Sequence, residues 1–462
     1  MPASTEIASG KPERAELRPI NWPVTVVVFF AGSVLLWADR SNFSVAAAAW
    51  AKDLDWTPST IGLMLSAFSL GYLVVQPIGG WIADQVGPRR TLAGTMAGWS
   101  LWVLLTPLAP TVLWLTAAFR VLLGAFEAPY IPASIAAVSR AIPSIARRGR
   151  FAAFMQSGAQ LGPAAGVFFA GLILEATGSP VYIFVIFGLV GLIGAAAWWF
   201  FARNFADPVP KGEHAQTQEA KARAVQAPVP PRLLVTSPAL WPFYIGYFAL
   251  PYCQYIFLTW LPQYLAHYRH FSLVAASALS ALPFLVAFVG ANFAGWAMDW
   301  LAAMGWTGGG FHRKLFVAIG AVIYSVTTLI AATTDSNTLA VTMIVIANAG
   351  LSFYVVPYWT TCTDIAPNQT GTLGGVMNFF GIVGATVSPY LSGVIAQATG
   401  AFVAPLVLAV AIMLVAATTM ITVPYAAAGK PGSRAEQRCE IGGVRLDSDQ
   451  RPYFSLSAAL PI

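Results

Sequence analysis

Charge is what this chain has least of. Of its 462 residues, 10% are Asp, Glu, Lys or Arg, against roughly 25% in soluble globular domains. It has four histidines and three cysteines, and Cys253, Cys362 and Cys439 stand far apart without metal-ligand or redox spacing. No metal is expected, and the thiols read as ordinary side chains. A GxxxxGK[ST] loop is absent, which argues against direct ATP drive. Neither an HExxH helix nor a Ser, His and Asp set points to an enzyme, and no cofactor is expected. A short apolar core followed by a small-residue cleavage site is also missing near the start, so the first apolar span is expected to stay in the protein.

What the chain has instead is apolar length, with 57% hydrophobic residues. Runs of about 20 residues, the number that crosses a hydrocarbon core of roughly 30 Å, occur twelve times. They cover 23–47, 58–83, 91–108, 112–138, 151–174, 180–202, 239–265, 273–299, 315–333, 338–362, 372–396 and 401–425. The chain therefore reads as an all-α membrane protein whose partners include the lipid bilayer.

The net charge of +6 is topological. Of 25 Lys and Arg, 21 lie in the two tails and the even-numbered loops, including Arg89 with Arg90, Arg140 to Arg150, and Arg313 with Lys314. The odd-numbered loops keep only Lys52 and Arg269. Such a bias places both termini in the cytoplasm and removes any need for a nucleic-acid partner.

One long polar stretch, 203–237, divides the spans six and six and has a linker's composition. The expected organisation is a cytoplasmic tail (1–20), a six-helix half (21–202), a cytoplasmic linker (203–237), a second six-helix half (238–425) and a cytoplasmic tail (426–462). The halves echo each other. Gly171-Leu-Ile-Leu-Glu-Ala-Thr-Gly178 recurs as Gly393-Val-Ile-Ala-Gln-Ala-Thr-Gly400, 222 residues later, and the same offset carries Gly149 onto Gly371. Gly80 and Asp84 are matched by Gly295 and Asp299. Parallel repeats of this kind are one transporter plan, with the substrate near the midplane between halves.

Four charges fall deep inside spans, all in the first half: Asp39, Arg40, Arg120 and Glu127. An unpaired charge at the bilayer centre costs roughly 3 to above 10 kcal/mol, so each demands a reason. Arg120 and Glu127 are seven residues apart, close to two helical turns, and share a face. Asp39 and Arg40 are neighbours, about 100° apart around the helix, and point differently. A guanidinium fork matches a carboxylate and stays charged in low dielectric, which makes Arg the better anion anchor. For a buried carboxylate, desolvation favours the neutral acid while a nearby Arg favours the ion. That competition suits a proton site switched by substrate. The plainer reading is a set of interhelical salt bridges.

After span two comes Gly71-Tyr-Leu-Val-Val-Gln-Pro-Ile-Gly-Gly-Trp-Ile-Ala-Asp-Gln-Val-Gly-Pro-Arg-Arg90. Its GxxxDxxGxRR spacing from Gly80 to Arg90 resembles the signature loop of the major facilitator superfamily. Gly80 suits close helix approach, Gly87 a tight turn, and Asp84 a partner across a cytoplasmic interface. Further stretches resemble the anion:cation symporter family: Trp37-Ala-Asp-Arg-Ser-Asn42, Arg120-Val-Leu-Leu-Gly-Ala-Phe-Glu-Ala-Pro-Tyr-Ile-Pro132, Thr259-Trp-Leu-Pro-Gln-Tyr264, Asp364-Ile-Ala-Pro367 and Gly374-Gly-Val-Met-Asn-Phe-Phe-Gly381. The resemblance covers nearly all of 20–425.

It implies a major facilitator fold of twelve helices, and a proton-coupled importer of an organic anion in the bacterial inner membrane. Arg40 would bind the substrate carboxylate, while Asp39 and Glu127 take up protons and Arg120 governs Glu127. Tyr72, Tyr358, Trp359 and Asn378 match places that line the sugar-acid pocket. Gly80, Asp84, Gly87, Arg89, Arg90 and, in the weaker second copy, Asp299 match the conformational latch. Two departures stand out: Trp37 occupies a position that is often Tyr, and Gln160 falls one place off the family's pocket Gln. Both leave room for a more aromatic or smaller anion. A monomer is expected. Rival readings are an anion exchanger or uniporter, a transporter-like sensor, and a proton-coupled exporter. The last takes its support from Gly158-Ala-Gln-Leu-Gly-Pro-Ala-Ala-Gly166, which resembles a motif of drug antiporters and also suits plain helix packing.

Overall fold

The computed structural model describes residues 22–141, 145–202, 235–306, 310–365 and 370–423. The expected tails and nearly all of the linker lie outside the described residues. So do Cys439 and part of the Asp364–Pro367 motif.

Thirteen long helices account for twelve crossings among the described residues. In the first half they are α1 (Trp22–Asp53), α2 (Pro58–Val86), α3 (Pro88–Leu105), α4 (Leu113–Glu127), α5 (Tyr130–Ala141), α6 (Ile145–Thr177) and α7 (Val181–Phe201). In the second they are α8 (Trp241–Gln263), α9 (Leu273–Ala303), α10 (Phe311–Thr333), α11 (Asn337–Ile365), α12 (Thr370–Thr399) and α13 (Val403–Thr419). The expected span four is two helices, α4 and α5, broken at Ala128 and Pro129. Ten helices are long and apolar enough to cross a membrane on those grounds alone. The other two crossings are the broken one and α8, whose Tyr, Trp and Pro content lowers its hydropathy while its length stays sufficient.

Local chemistry sets the helix ends. Thr57 caps α2 by accepting from the Thr60 amide at 3.3 Å, ahead of Pro58 at the first turn. Gly87, at φ +91°, makes the sharp turn between α2 and α3 that its sequence context predicts. The repeat is visible at the same level of detail: the two echoed glycines, Gly178 and Gly400, follow α6 and α12 at φ +68° and +69°.

The halves meet along α2 with α12, α6 with α9 and α1 with α8. The polar contacts across this seam concentrate at one end. The Ser59 amide donates to Gln397 Oε1 at 3.2 Å and the Tyr390 amide to Ser66 Oγ at 2.9 Å. Absent side chains permit the fit: a Cβ on Gly62 would sit 2.5 Å from the Pro389 carbonyl, and one on Gly393 would collide with the Pro58 carbonyl. All of these lie toward the start of α2 and the close of α12, so the molecule is shut at that end.

Candidate functional site

Pro129 sets the geometry. Lacking an amide hydrogen and clashing with the carbonyl four residues back, it ends α4 at Glu127. Glu127 thus occupies the last turn of α4, where the negative end of the helix dipole disfavours an anion. A cation from another helix offsets this, and α1 supplies it. Arg40 donates from Nε to Glu127 Oε1 at 2.5 Å, and its Nη2 lies 2.5 Å from the same oxygen. The second oxygen, Oε2, is buried with no hydrogen-bond partner among the described residues.

The Arg40 guanidinium is walled by rings. Its carbon lies 4.1 Å from the ring centroid of Trp37, 4.7 Å from that of Tyr72 and 5.4 Å from that of Phe68. Such faces attract a cation more strongly once water is excluded. From the other half, Tyr255 of α8 brings its hydroxyl to 3.4 Å from Nη1. Arg40 therefore stands at the seam between halves, held by the carboxylate of Glu127. The pairing of α2 with α4 behind it depends on two small residues. A side chain on Gly71 would run into the Val121 backbone, and one on Gly124 into that of Phe68.

Asp39 points elsewhere, as its place around the helix predicts. Its Oδ1 accepts from Asn42 Nδ2 at 3.0 Å, and the charges of Glu127 and Arg120 reach it. Arg120 makes a different contact from the one its spacing suggests. Its guanidinium rests 4.2 Å over Phe43 and 5.2 Å from Phe68, and its Nε has no hydrogen-bond partner among the described residues. Seven residues put Arg120 and Glu127 on one face, but about 10 Å of helical rise separates them. Helix α1 brings Arg40 closer.

The second half places its candidates less uniformly. Asn378 on α12 is half-buried, and Trp359 on α11 is exposed beside Gly374 and edge-on to Tyr247. Tyr358 is fully buried, stacked on Phe243 and Tyr354 with its hydroxyl 3.2 Å from that of Tyr354. In the first half, Gln160 is half-buried with Oε1 unpartnered among the described residues.

In the Gly80–Arg90 loop, Arg89 Nη2 donates to the Trp199 carbonyl at 2.8 Å and its guanidinium lies over the Trp199 ring, tying α3 to α7. Arg90 and Asp299 are exposed, and the side chain of Asp84 lies outside the described residues. The close helix approach expected at Gly80 occurs one residue earlier: a Cβ on Gly79 would meet the Pro129 Cα at 3.0 Å, whereas one on Gly80 has 4.0 Å to Pro132. Gly158, Gly162 and Gly166 of α6 all pack on α1, at Ser33, Trp37 and Ala38 with Ser41, which is the packing reading of that motif.

Sequence reasoning missed Tyr255, Phe68, Phe43 and Trp99. Tyr255 lies one turn before the Thr259–Tyr264 motif, a signal within reach. The other three are aromatics in apolar spans, and only tertiary contact distinguishes them.

Comparison with known proteins adds the following. The profile of the Major Facilitator Superfamily matches residues 29–383. The D-galactonate transporter of Escherichia coli O6:H1 is 30% identical over 414 residues, 86% of this chain and 94% of that protein. The hexuronate transporter of Bacillus subtilis is 29% identical, covering 90% and 97%. Sodium-dependent phosphate transport protein 1 of Arabidopsis thaliana chloroplasts is 29% identical, covering 82% and 74%. Among solved structures, a bacterial homologue of the human lysosomal transporter Spinster, inward-facing and unoccupied, matches with a TM-score of 0.68 at 19% identity. That match covers 87% of this chain and 98% of that one, and it speaks for the fold.

Proposed function

Because the chain belongs to the major facilitator superfamily, we propose that it imports a small organic anion, a sugar acid or other carboxylate, together with protons by alternating access. It is a multi-pass membrane transporter and not an enzyme. One observation carries the anion reading: Arg40 is a buried guanidinium at the seam of the two halves, paired with Glu127 and touched by Tyr255.

In the state observed, Glu127 occupies the fork that a substrate carboxylate needs. Protonation of Glu127 removes its charge and releases Arg40; the anion then takes the vacated place. Asp39 is the second proton acceptor, with Arg120 supplying positive charge to both carboxylates. Trp37, Tyr72 and Gln160 shape the cargo's surroundings from the first half and Asn378 and Trp359 from the second, with Tyr358 packed behind. Neutralising the site breaks a contact that holds one conformation, so the halves can rock. One proton per carboxylate is electroneutral, and each further proton adds about 2.3 kcal/mol of drive per 100 mV.

The distribution of Lys and Arg supports an inner-membrane orientation with both termini cytoplasmic, which makes the closed end periplasmic and the state inward-facing. The Gly80–Arg90 loop, with Asp299 as its counterpart, serves as the latch of the opposite state. Thermal-shift screening of purified protein against sugar acids, aromatic acids and dicarboxylates identifies the cargo class, since a ligand stabilises by mass action. The best ligand is then labelled and followed into proteoliposomes with and without a proton gradient. Accumulation that follows the gradient supports symport. Uptake indifferent to it replaces this reading with exchange or uniport.

A further inference from the structure

One N–H donor is hydrogen-bonded to Asp39, and a second stands near it on another helix. Asn42, one turn further along α1, donates to Oδ1 at 3.0 Å. From α3 the indole N–H of Trp99 faces the same carboxyl. Trp99 Nε1 and Asp39 Oδ2 are both buried and both lack a hydrogen-bond partner among the described residues, so the indole stands near the carboxyl without a formed hydrogen bond to it. The indole is fixed in place. Trp99 is fully buried, with its ring edge-on to Tyr130 at 5.3 Å and 74°. A missing side chain at Gly32 admits the Tyr130 hydroxyl and Met96 against α1.

Burying an indole N–H without an acceptor is costly, so a Trp in this position calls for one, and the carboxyl of Asp39 is there. Indole donates and cannot accept. Hydrogen bonds to an ionised group are about twice as strong as neutral ones, so both donors favour the carboxylate over the acid. The other charged groups that act here are Glu127 and Arg120 from α4, and Arg40 is next in sequence. Tyr130 of α5, Tyr72 of α2 and Tyr255 of α8 complete the titratable set. On α6, α7 and α9 the titratable residues fall toward the helix ends: Arg147, Arg148, Arg150 and Glu175 on α6, Tyr182 on α7 and Asp299 on α9.

We infer that Asn42 and Trp99 are positioning residues for a proton site at Asp39, Asn42 through its hydrogen bond to Oδ1 and Trp99 through a buried indole N–H poised to donate to the unpartnered Oδ2 once it is ionised, and that together they set the pH at which the transporter loads a proton there. This rests on Asp39 being a proton carrier.

Infrared difference spectroscopy of the lipid-reconstituted protein during pH titration tests it without any substrate. The carboxylic-acid band that vanishes in Asp39→Asn reports Asp39 alone. Trp99→Phe keeps the ring and loses the donor, so its titration midpoint is expected to rise by about one pH unit, the shift for loss of one hydrogen bond to a charged group. Asn42→Ala moves it the same way. An unmoved or lowered midpoint in folded Trp99→Phe overturns the inference and leaves Trp99 a packing residue, visible then only as a change in thermal stability. If Trp99→Phe does not fold, Asn42→Ala carries the test, and no rise there overturns the inference. Absence of any Asp39 band that titrates in the wild-type protein sinks the proton role itself, a separate outcome.

Discussion

The two halves share helix caps and a sequence echo, yet among the described residues every buried Asp, Glu and Arg belongs to the first: Asp39, Arg40, Arg120 and Glu127. The second half turns toward the seam with a hydroxyl, Tyr255, and offers an amide and rings, Asn378 and Trp359. The contrast separates two tasks. On the proposed function, the charged groups answer protons and the cargo's carboxylate, which all candidate cargoes share. Neutral groups respond to the rest of the cargo, where candidates differ.

The sharpest test of this division removes the anion anchor. Arg40→Ala is expected to lower carboxylate uptake in proteoliposomes by about 100-fold or more, the scale of roughly 3 kcal/mol for a buried charged contact. Arg40→Lys keeps the charge and loses the fork, so it falls between. Uptake within twofold of wild type in Arg40→Ala would mean that the charged half does not bind the cargo, and an exporter of apolar compounds would become the better reading.

Glu127→Gln separates drive from binding. The amide is a permanent stand-in for the protonated acid, so accumulation against a gradient is expected to disappear while counterflow exchange of labelled for unlabelled anion continues. Preservation of both returns Glu127 to the role of a structural partner for Arg40.

A third change acts on the closed end of the seam, where the described contacts between the halves are uncharged. Gly393→Val places a branched side chain against the Pro58 backbone and the Trp260 ring, and overpacking of this kind costs about 1 to 3 kcal/mol. The state closed at this end is expected to lose roughly tenfold in population, read from disulfide formation between cysteines substituted at Ser59 and Gln397. The shift should not depend on pH, and a pH-dependent shift would show that the charged cluster is coupled to the closed end.

Much of this was legible in sequence because the membrane leaves few options. Twelve apolar runs, a positive-inside loop pattern and a six-plus-six division follow from hydropathy and Lys and Arg positions. The four deep charges identify themselves by their expense. Partner choice was not legible. Helical spacing put Arg120 with Glu127, but the Pro129 break and the passage of α1 give that carboxylate to Arg40. A heptad spacing describes one helix, and the ion pair is a property of two. Trp99 was invisible for a similar reason, since an isolated Trp in an apolar span looks the same whether its N–H meets lipid, a carbonyl or a carboxylate. The close approach at Gly79 in place of Gly80 shows the same limit, a helical rotation that a motif cannot supply.

The smallest expected effects belong to the neutral half, and they are the ones that bear on cargo identity. Asn378→Ala removes a donor and an acceptor that a hydroxylated anion can use and an apolar one cannot. A lost neutral hydrogen bond is worth about 1 kcal/mol, so KM for sugar acids should rise about fivefold while KM for aromatic acids stays put and the pH profile is unchanged. Trp359→Ala, at an exposed ring, should do the reverse on a similar scale. Competition between labelled and unlabelled anions in wild-type and variant proteoliposomes measures both. Equal loss for both cargo classes, or a moved pH profile, would show that selectivity and proton coupling are not divided between the halves.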